Sequence, residues 1–136
     1  MMNIRVSSEK NISQEKIIAL YKANQWSAAK KPETLYRALL NSHTLITAWD
    51  NDTLVGLGNA ISDGYLVVYF PHLLVLPSYQ KKGVGKTIMS ELMKVYKGFH
   101  MQMLSSDHQA IAFYEKMGFS KAGDTQAMWI YDGKEH

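Results

Sequence analysis

The chain has 136 residues, 46% of them hydrophobic and 20% charged, with no cysteine and a formal net charge of +3. That length suits one domain, residues 1–136, with a sizeable core, and that composition excludes a disordered or fibrous chain. No apolar run reaches bilayer length and the first ten residues are too polar for a signal peptide, so no membrane contact and a cytoplasmic location are expected. The missing cysteines exclude disulfides, a thiol nucleophile and thiolate metal sites. A mild basic excess raises nucleic-acid binding. The lysines are spread along the chain, however, and their tightest group, Lys81, Lys82 and Lys86, suits one anionic cofactor better, so no nucleic-acid partner is expected.

Residues 3–7 alternate and predict a first strand. Ser13 is placed to cap a helix whose buried face is Ile17, Ile18, Leu20 and Tyr21, with Glu15 in its first turn. Trp26 follows in a loop. Pro32 opens a second helix with Leu35, Tyr36, Leu39 and Leu40 on its apolar side. Residues 44–49 and 53–61 predict two antiparallel strands around Asp50-Asn51-Asp52, and Gly56 and Gly58 in the second mark a bulge or a close backbone approach. Ser62-Asp63-Gly64 makes another hairpin turn. Residues 65–76 predict one long strand, with Pro71 an irregularity inside it.

That strand runs into the most informative stretch, Val75-Leu-Pro77-Ser-Tyr-Gln80-Lys-Lys-Gly83-Val-Gly85-Lys86-Thr87. A helix starting near Lys86 carries Ile88, Met89, Leu92, Met93, Val95 and Tyr96 at helical period. Gly83 and Gly85 let the backbone curl and present successive amides at the positive end of a helix dipole. With the three lysines, this is a phosphate site. A Walker A loop would need glycine where Gln80 stands, and a dinucleotide fingerprint would need it at Ile88. Further on, residues 99–104 predict a strand, Asp107 lies in the N-terminal region of another helix, and residues 119–123 and 127–131 predict two short closing strands. His43, His100 and His136 show no metal-ligand spacing, so no metal is expected.

The spacing Gln80-x-x-Gly83-x-Gly85 after a strand and before a helix resembles the coenzyme A loop of the GNAT acetyltransferase superfamily. Ala110-Ile-Ala-Phe113-Tyr114-Glu-Lys-Met-Gly118-Phe119 resembles its later motif. The two motifs cover roughly the second half of the chain, and the order of elements fits over the first half. The resemblance implies an α/β (α+β) fold: a mixed, mostly antiparallel sheet of about seven strands flanked by about four helices, with the fourth and fifth strands splayed.

It also implies an N-acetyltransferase that moves an acetyl group from acetyl-coenzyme A to a primary amine of a small molecule or peptide, in a ternary complex. Gln80, Lys81, Lys82, Gly83, Val84, Gly85, Lys86 and Thr87 would hold the cofactor's phosphates. The amides of Leu73 and Val75 would bind its thioester arm, and Tyr114 would protonate the leaving thiolate. A lysine-like amine of pKa near 10.4 needs a base. His72 fits that role, with Asp63 a weaker candidate, and a packed His72 with a water chain is the competing reading. Asp107 stands where many relatives have a cofactor-contacting asparagine; it either contacts the cofactor differently or caps a helix. Trp26, Tyr36 and Tyr69 are candidate substrate contacts, or packed aromatics. A homodimer is compatible, since dimers are common among similar proteins. A coenzyme A sensor without catalysis is the alternative function.

Overall fold

The computed structural model describes residues 3–134. In chain order the elements are β1 (Ile4–Ser7), α1 (Gln14–Ala23), α2 (Pro32–Leu40), β2 (Thr44–Asp50), β3 (Thr53–Ser62), β4 (Val67–Tyr69), β5 (Leu73–Val75), α3 (Val84–Val95), β6 (Met101–Met103) and α4 (Ile111–Lys116), with short 3₁₀ turns at Ser27–Lys30, Pro77–Tyr79 and His108–Ala110. The helix signals act as expected: Ser13 accepts a hydrogen bond from the Lys16 amide at 3.3 Å, and Pro32 occupies the first turn of α2. Helix α3 begins at Val84, earlier than Lys86, because Gly83 takes φ +85° and turns the chain directly into it.

The sheet order is β1-β2-β3-β4-β6, with β5 also pairing to β3; all pairs are antiparallel except β4 with β6. One face carries α3, whose Ile88, Met89, Leu92 and Tyr96 are fully buried against β2–β5. At about 1.5–3 kcal/mol per fully buried large side chain, this stripe is a principal support of the fold. The two strand glycines explain how α3 comes so near. A Cβ on Gly56 would stand 2.9 Å from Ile88, and one on Gly58 2.9 Å from both Ile88 and Leu92. The opposite face carries α1 and α2 over Leu45, Leu54, Leu57 and Leu74.

Two expectations are corrected. Residues 65–76 do not make one strand: β4 and β5 are separate, broken across Phe70-Pro71-His72, because proline has no amide for a ladder and fixes its own φ. Residues 119–123 and 127–131 form no strand, so the described sheet has six strands rather than about seven. Their side chains suit a strand, but every residue from 121 to 130 is exposed and lies beside no partner strand. Strand preference is expressed only against a neighbour. The mixed α/β class and the four helices stand as expected.

Candidate active site

The break between β4 and β5 opens the site. Strand β4 runs parallel to β6 for three residues, Val67 opposite Met101 and Tyr69 opposite Met103. The last bond of this ladder is Phe70 N–H to Met103 C=O at 3.0 Å. Beyond it the chain turns to β3, while the segment after β6 leads to Ser105, Ser106 and Asp107. Between them lies a cleft of about 1190 Å³, lined on one side by Tyr69, Pro71, His72 and Leu73 and on the other by Ser105, Asp107 and Tyr114. This is the splay expected between the strand predicted at residues 65–76 and the one predicted at 99–104. Buried Asn59 holds the break: its amide donates to the His72 carbonyl at 3.1 Å, and its side-chain oxygen accepts from the His72 amide at 3.1 Å.

The register of β5 decides where its amides point. Leu73 faces Gly58, Leu74 faces Leu57 and Val75 faces Gly56. The flanking bonds run from Asn59 N–H to His72 C=O and from Leu76 N–H to Val55 C=O. Bonded positions alternate along an antiparallel strand, so Leu73 and Val75 direct their amides away from β3, toward the edge where the cleft opens.

The glycine loop stands at the end of β5. Gln80 donates from Nε2 to the Val75 carbonyl at 2.9 Å and to Asn24 Oδ1 at 3.2 Å, so its amide nitrogen ties the loop to β5 and to the end of α1. Lys81 takes φ +61° and Gly83 φ +85°. Thr87 supplies the first amide bonded one turn back, to Gly83 C=O at 3.0 Å, and its hydroxyl donates to the same oxygen at 2.9 Å. The amides of Val84, Gly85 and Lys86 therefore open the helix with no carbonyl one turn behind them inside it. Val84 is buried, while Lys81, Lys82 and Lys86 are exposed. A Cβ on Gly85 would meet Phe113 Cζ at 3.7 Å and Val75 at 3.8 Å, ordinary contact distances.

Tyr114 lies half-buried on α4, packed edge-on against Phe113 and Phe119 and lining the cleft. Burial, and secondarily the Asp107 carboxylate, push its pKa up to about 12. Asp107 also lines the cleft; it starts the 3₁₀ turn before α4 through its backbone carbonyl, which accepts from Ala110 N–H at 2.9 Å, rather than by a side-chain cap.

Within the cleft, His72 meets Trp26 edge-on at 5.2 Å between ring centres, and its Nδ1 is 2.7 Å from the Tyr21 hydroxyl. Tyr21 is fully buried on α1, and burial raises its pKa strongly, so it stays protonated and fixes the imidazole's orientation. Trp26 and Tyr69 line the cleft. Tyr36 does not: its hydroxyl donates to Ile12 C=O at 2.8 Å and its ring packs over the α1–α2 core. Asp63 is also elsewhere. Its Oδ1 accepts from the amides of Tyr65 and Leu66 at 2.8 Å each, bonds that lower its pKa and close the hairpin turn.

Sequence reasoning missed two contributors. Tyr21 reads as one more apolar position of α1, and nothing local signals a partner 51 positions away. The C-terminal segment reads as strands yet crosses the cleft mouth: Trp129 and Tyr131 line it, the Tyr131 hydroxyl is 3.3 Å from Ser27 Oγ, and Asp132 pairs with Lys31. Among the described residues no cluster of His, Cys, Asp and Glu could hold a metal ion; His136 lies outside them.

The acetyltransferase (GNAT) domain family model matches residues 8–129. The chain belongs to the GNAT acetyltransferase family. It is an acyltransferase by that membership, and its similarities agree. A GNAT family acetyltransferase from Streptococcus pneumoniae TIGR4 is 31% identical, covering 96% of this chain and 100% of the other, with a TM-score of 0.82. The uncharacterized N-acetyltransferase ycf52 of Pyropia yezoensis is 27% identical over 129 residues, 90% of this chain and 73% of that protein. At 15% identity and a TM-score of 0.71, AAC(6')-Iy in complex with a coenzyme A bisubstrate analogue shares the fold, over 97% of this chain and 99% of that one.

Proposed function

We propose that residues 1–136 act as one cytoplasmic N-acetyltransferase domain, carrying an acetyl group from acetyl-coenzyme A directly to a primary amine of a small molecule or peptide. One observation carries the reading. The amides of Leu73 and Val75 turn away from β3 where the strands part, Leu73 and Tyr114 line the same cleft, and the glycine loop and the α3 N-terminus stand at the end of β5.

The residues present fit coenzyme A. Its pyrophosphate suits the amides of Gly83, Val84, Gly85 and Lys86, with the Thr87 hydroxyl near and Lys81, Lys82 and Lys86 around them. The Leu73 and Val75 amides suit the pantetheine and the thioester oxygen, where negative charge grows as the amine attacks. Gln80 acts by holding the loop on β5. Asp107 acts through Tyr114, keeping its proton on.

Proton bookkeeping assigns the rest. At its ordinary pKa near 10, a phenol would give its proton to a thiolate of pKa about 8.5 at a cost of about 2 kcal/mol; at about 12 the cost is nearer 5 kcal/mol. Tyr114 therefore acts chiefly as a hydrogen-bond donor that stabilises the developing thiolate. His72, oriented by Tyr21, takes the proton from the attacking amine. Trp26 and Tyr69 form walls for the acceptor.

The test is acetyl-coenzyme A-dependent thiol release against arylalkylamines, polyamines, amino acids, aminoglycosides and peptide N-termini. Release with one amine class supports the reading and names the acceptor. Tight coenzyme A binding with no release from any class favours the sensor, which the aspartate at position 107 leaves room for. No coenzyme A binding rejects both.

A further inference from the structure

Strand β3 carries two ladders that do not share a register. It meets β4 with Ile61 opposite Tyr69 and Ser62 opposite Val68, and β5 with Gly58 opposite Leu73, Leu57 opposite Leu74 and Gly56 opposite Val75. Between the ladders β3 has two residues, Asn59 and Ala60, and the facing chain has three, Phe70, Pro71 and His72. One residue more on one side is a β-bulge. Side chains alternate along an unbroken strand, so residue 72 would share the α3 face with Val68 and Phe70, which are buried there. The extra residue turns it over. His72 stands on the opposite face, against Tyr21 and Trp26.

A bulge also interrupts hydrogen bonding. Asn59 and His72 fall at a bonded position of the β3–β5 register, where each amide gives to the other residue's carbonyl. Half of that exchange survives, since Asn59 N–H donates to His72 C=O at 3.1 Å. The other half is made by a side chain: His72 N–H donates to Asn59 Oδ1, also at 3.1 Å. The far end of that side chain is anchored in turn. Asn59 Nδ2 donates to Ser42 Oγ at 3.0 Å, and Ser42 Oγ donates to Ala38 C=O of α2 at 3.0 Å. The Ser42 proton goes to a carbonyl and the His72 amide can only donate, so the two ends of the Asn59 amide cannot be exchanged. Asn59 and Ser42 are each 4% exposed. Packing alone would be served there by a leucine, as at Leu45 opposite on β2 and at Leu57 two positions earlier.

We propose that Asn59, backed by Ser42, is a positioning residue. By accepting the His72 amide it fixes the bulge, and through the bulge it sets the His72 imidazole on the α1 face and the direction of the next amide, that of Leu73. A buried polar line thus runs from the end of α2 to the middle of the cleft wall, through a core that is otherwise apolar at this place. Such a line holds its members to one arrangement, because any other leaves a buried group without a partner. The consequence for catalysis rests on the acetyl-transfer reading; the clasp itself does not.

Two substitutions test it on the whole chain. Asn59→Leu keeps the branched shape and removes the clasp. Asn59→Asp keeps an oxygen for the His72 amide, and Ser42 Oγ can turn its proton to the second oxygen. Hydrogen exchange of single amides, followed by NMR, reads the clasp without any substrate. The His72 amide should exchange about 100-fold faster in Asn59→Leu and recover most of its protection in Asn59→Asp. The Leu76 amide, bonded to Val55 C=O at the other end of β5, should change at least about tenfold less. Assays of the same chains with the amine that releases most thiol should show kcat about 30-fold lower in Asn59→Leu and largely restored in Asn59→Asp, with the KM for acetyl-coenzyme A little changed. Equal acceleration at His72 and Leu76, no acceleration at His72, or an unchanged kcat in Asn59→Leu would each overturn the proposal. The expected exchange pattern with no thiol release from any amine would support the clasp and reject the acetyl-transfer reading instead.

Discussion

The two sides of the cleft are made in different ways. The side proposed for coenzyme A is backbone: strand amides at Leu73 and Val75, then the first amides of α3, all placed by one continuous segment from β5 to α3. The side proposed for the acceptor is side chains gathered from the Trp26 loop, the β4–β5 break and the C-terminal segment, with Tyr21 of α1 behind His72. A backbone site needs only that a strand part from its neighbour and that a glycine take positive φ. A side-chain site needs many separate segments to agree. The first can be kept constant while the second is changed, and one scaffold can serve many acceptors on that basis.

The strongest way to break the coenzyme side is to unseat α3. Gly58→Val would put a Cβ 2.9 Å from both Ile88 and Leu92, and overpacking of this kind costs roughly 1–3 kcal/mol, more where both neighbours are fixed. Urea unfolding should report a loss near the top of that range, with coenzyme A binding weakened alongside.

A sharper contrast comes from Tyr114→Phe. It should lower kcat about 100-fold, with coenzyme A affinity within about a factor of three. Unchanged turnover would remove Tyr114 from the chemistry. The same residue gives a pH prediction. Its folded pKa of about 12 lies above the ordinary 10 of an unfolded tyrosine, so its stabilising effect is full below pH 10 and is lost as pH rises toward 12. That effect is about 3 kcal/mol. Alkaline melting curves of wild type and Tyr114→Phe should converge over this window, with buried Tyr21 shifting in the same direction in both.

The smallest effect probes the acceptor side alone. Tyr21→Phe removes the 2.7 Å bond to His72 Nδ1. It should lower kcat about 10-fold and displace the acidic limb of the pH–rate profile, while leaving coenzyme A affinity unchanged. A loss of stability with an unmoved limb would assign His72 to packing.

The same division explains what the sequence discloses. The helix caps at Ser13 and Pro32, the strand glycines and the Gln80–Gly83–Gly85 loop are local signals, each with a physical reason at its own position, and they locate most of the fold and the segment proposed for coenzyme A. The Tyr21–His72 bond and the Asn59 clasp on the β-break join residues far apart, and neither leaves a local mark. The closing strands failed for a related reason. Residues 127–131 have strand character, but a strand requires an edge to lie on, and which edge is a property of the assembled surface.

The most direct measurement is calorimetric titration of the wild-type chain with acetyl-coenzyme A, repeated with Lys81, Lys82 and Lys86 changed to glutamine. One-to-one binding that weakens at least tenfold in the triple variant, and weakens in wild type as salt is raised, is the predicted result. No binding by the wild-type chain, or binding indifferent to both salt and the three lysines, would contradict the placement of the coenzyme on the β5–α3 segment.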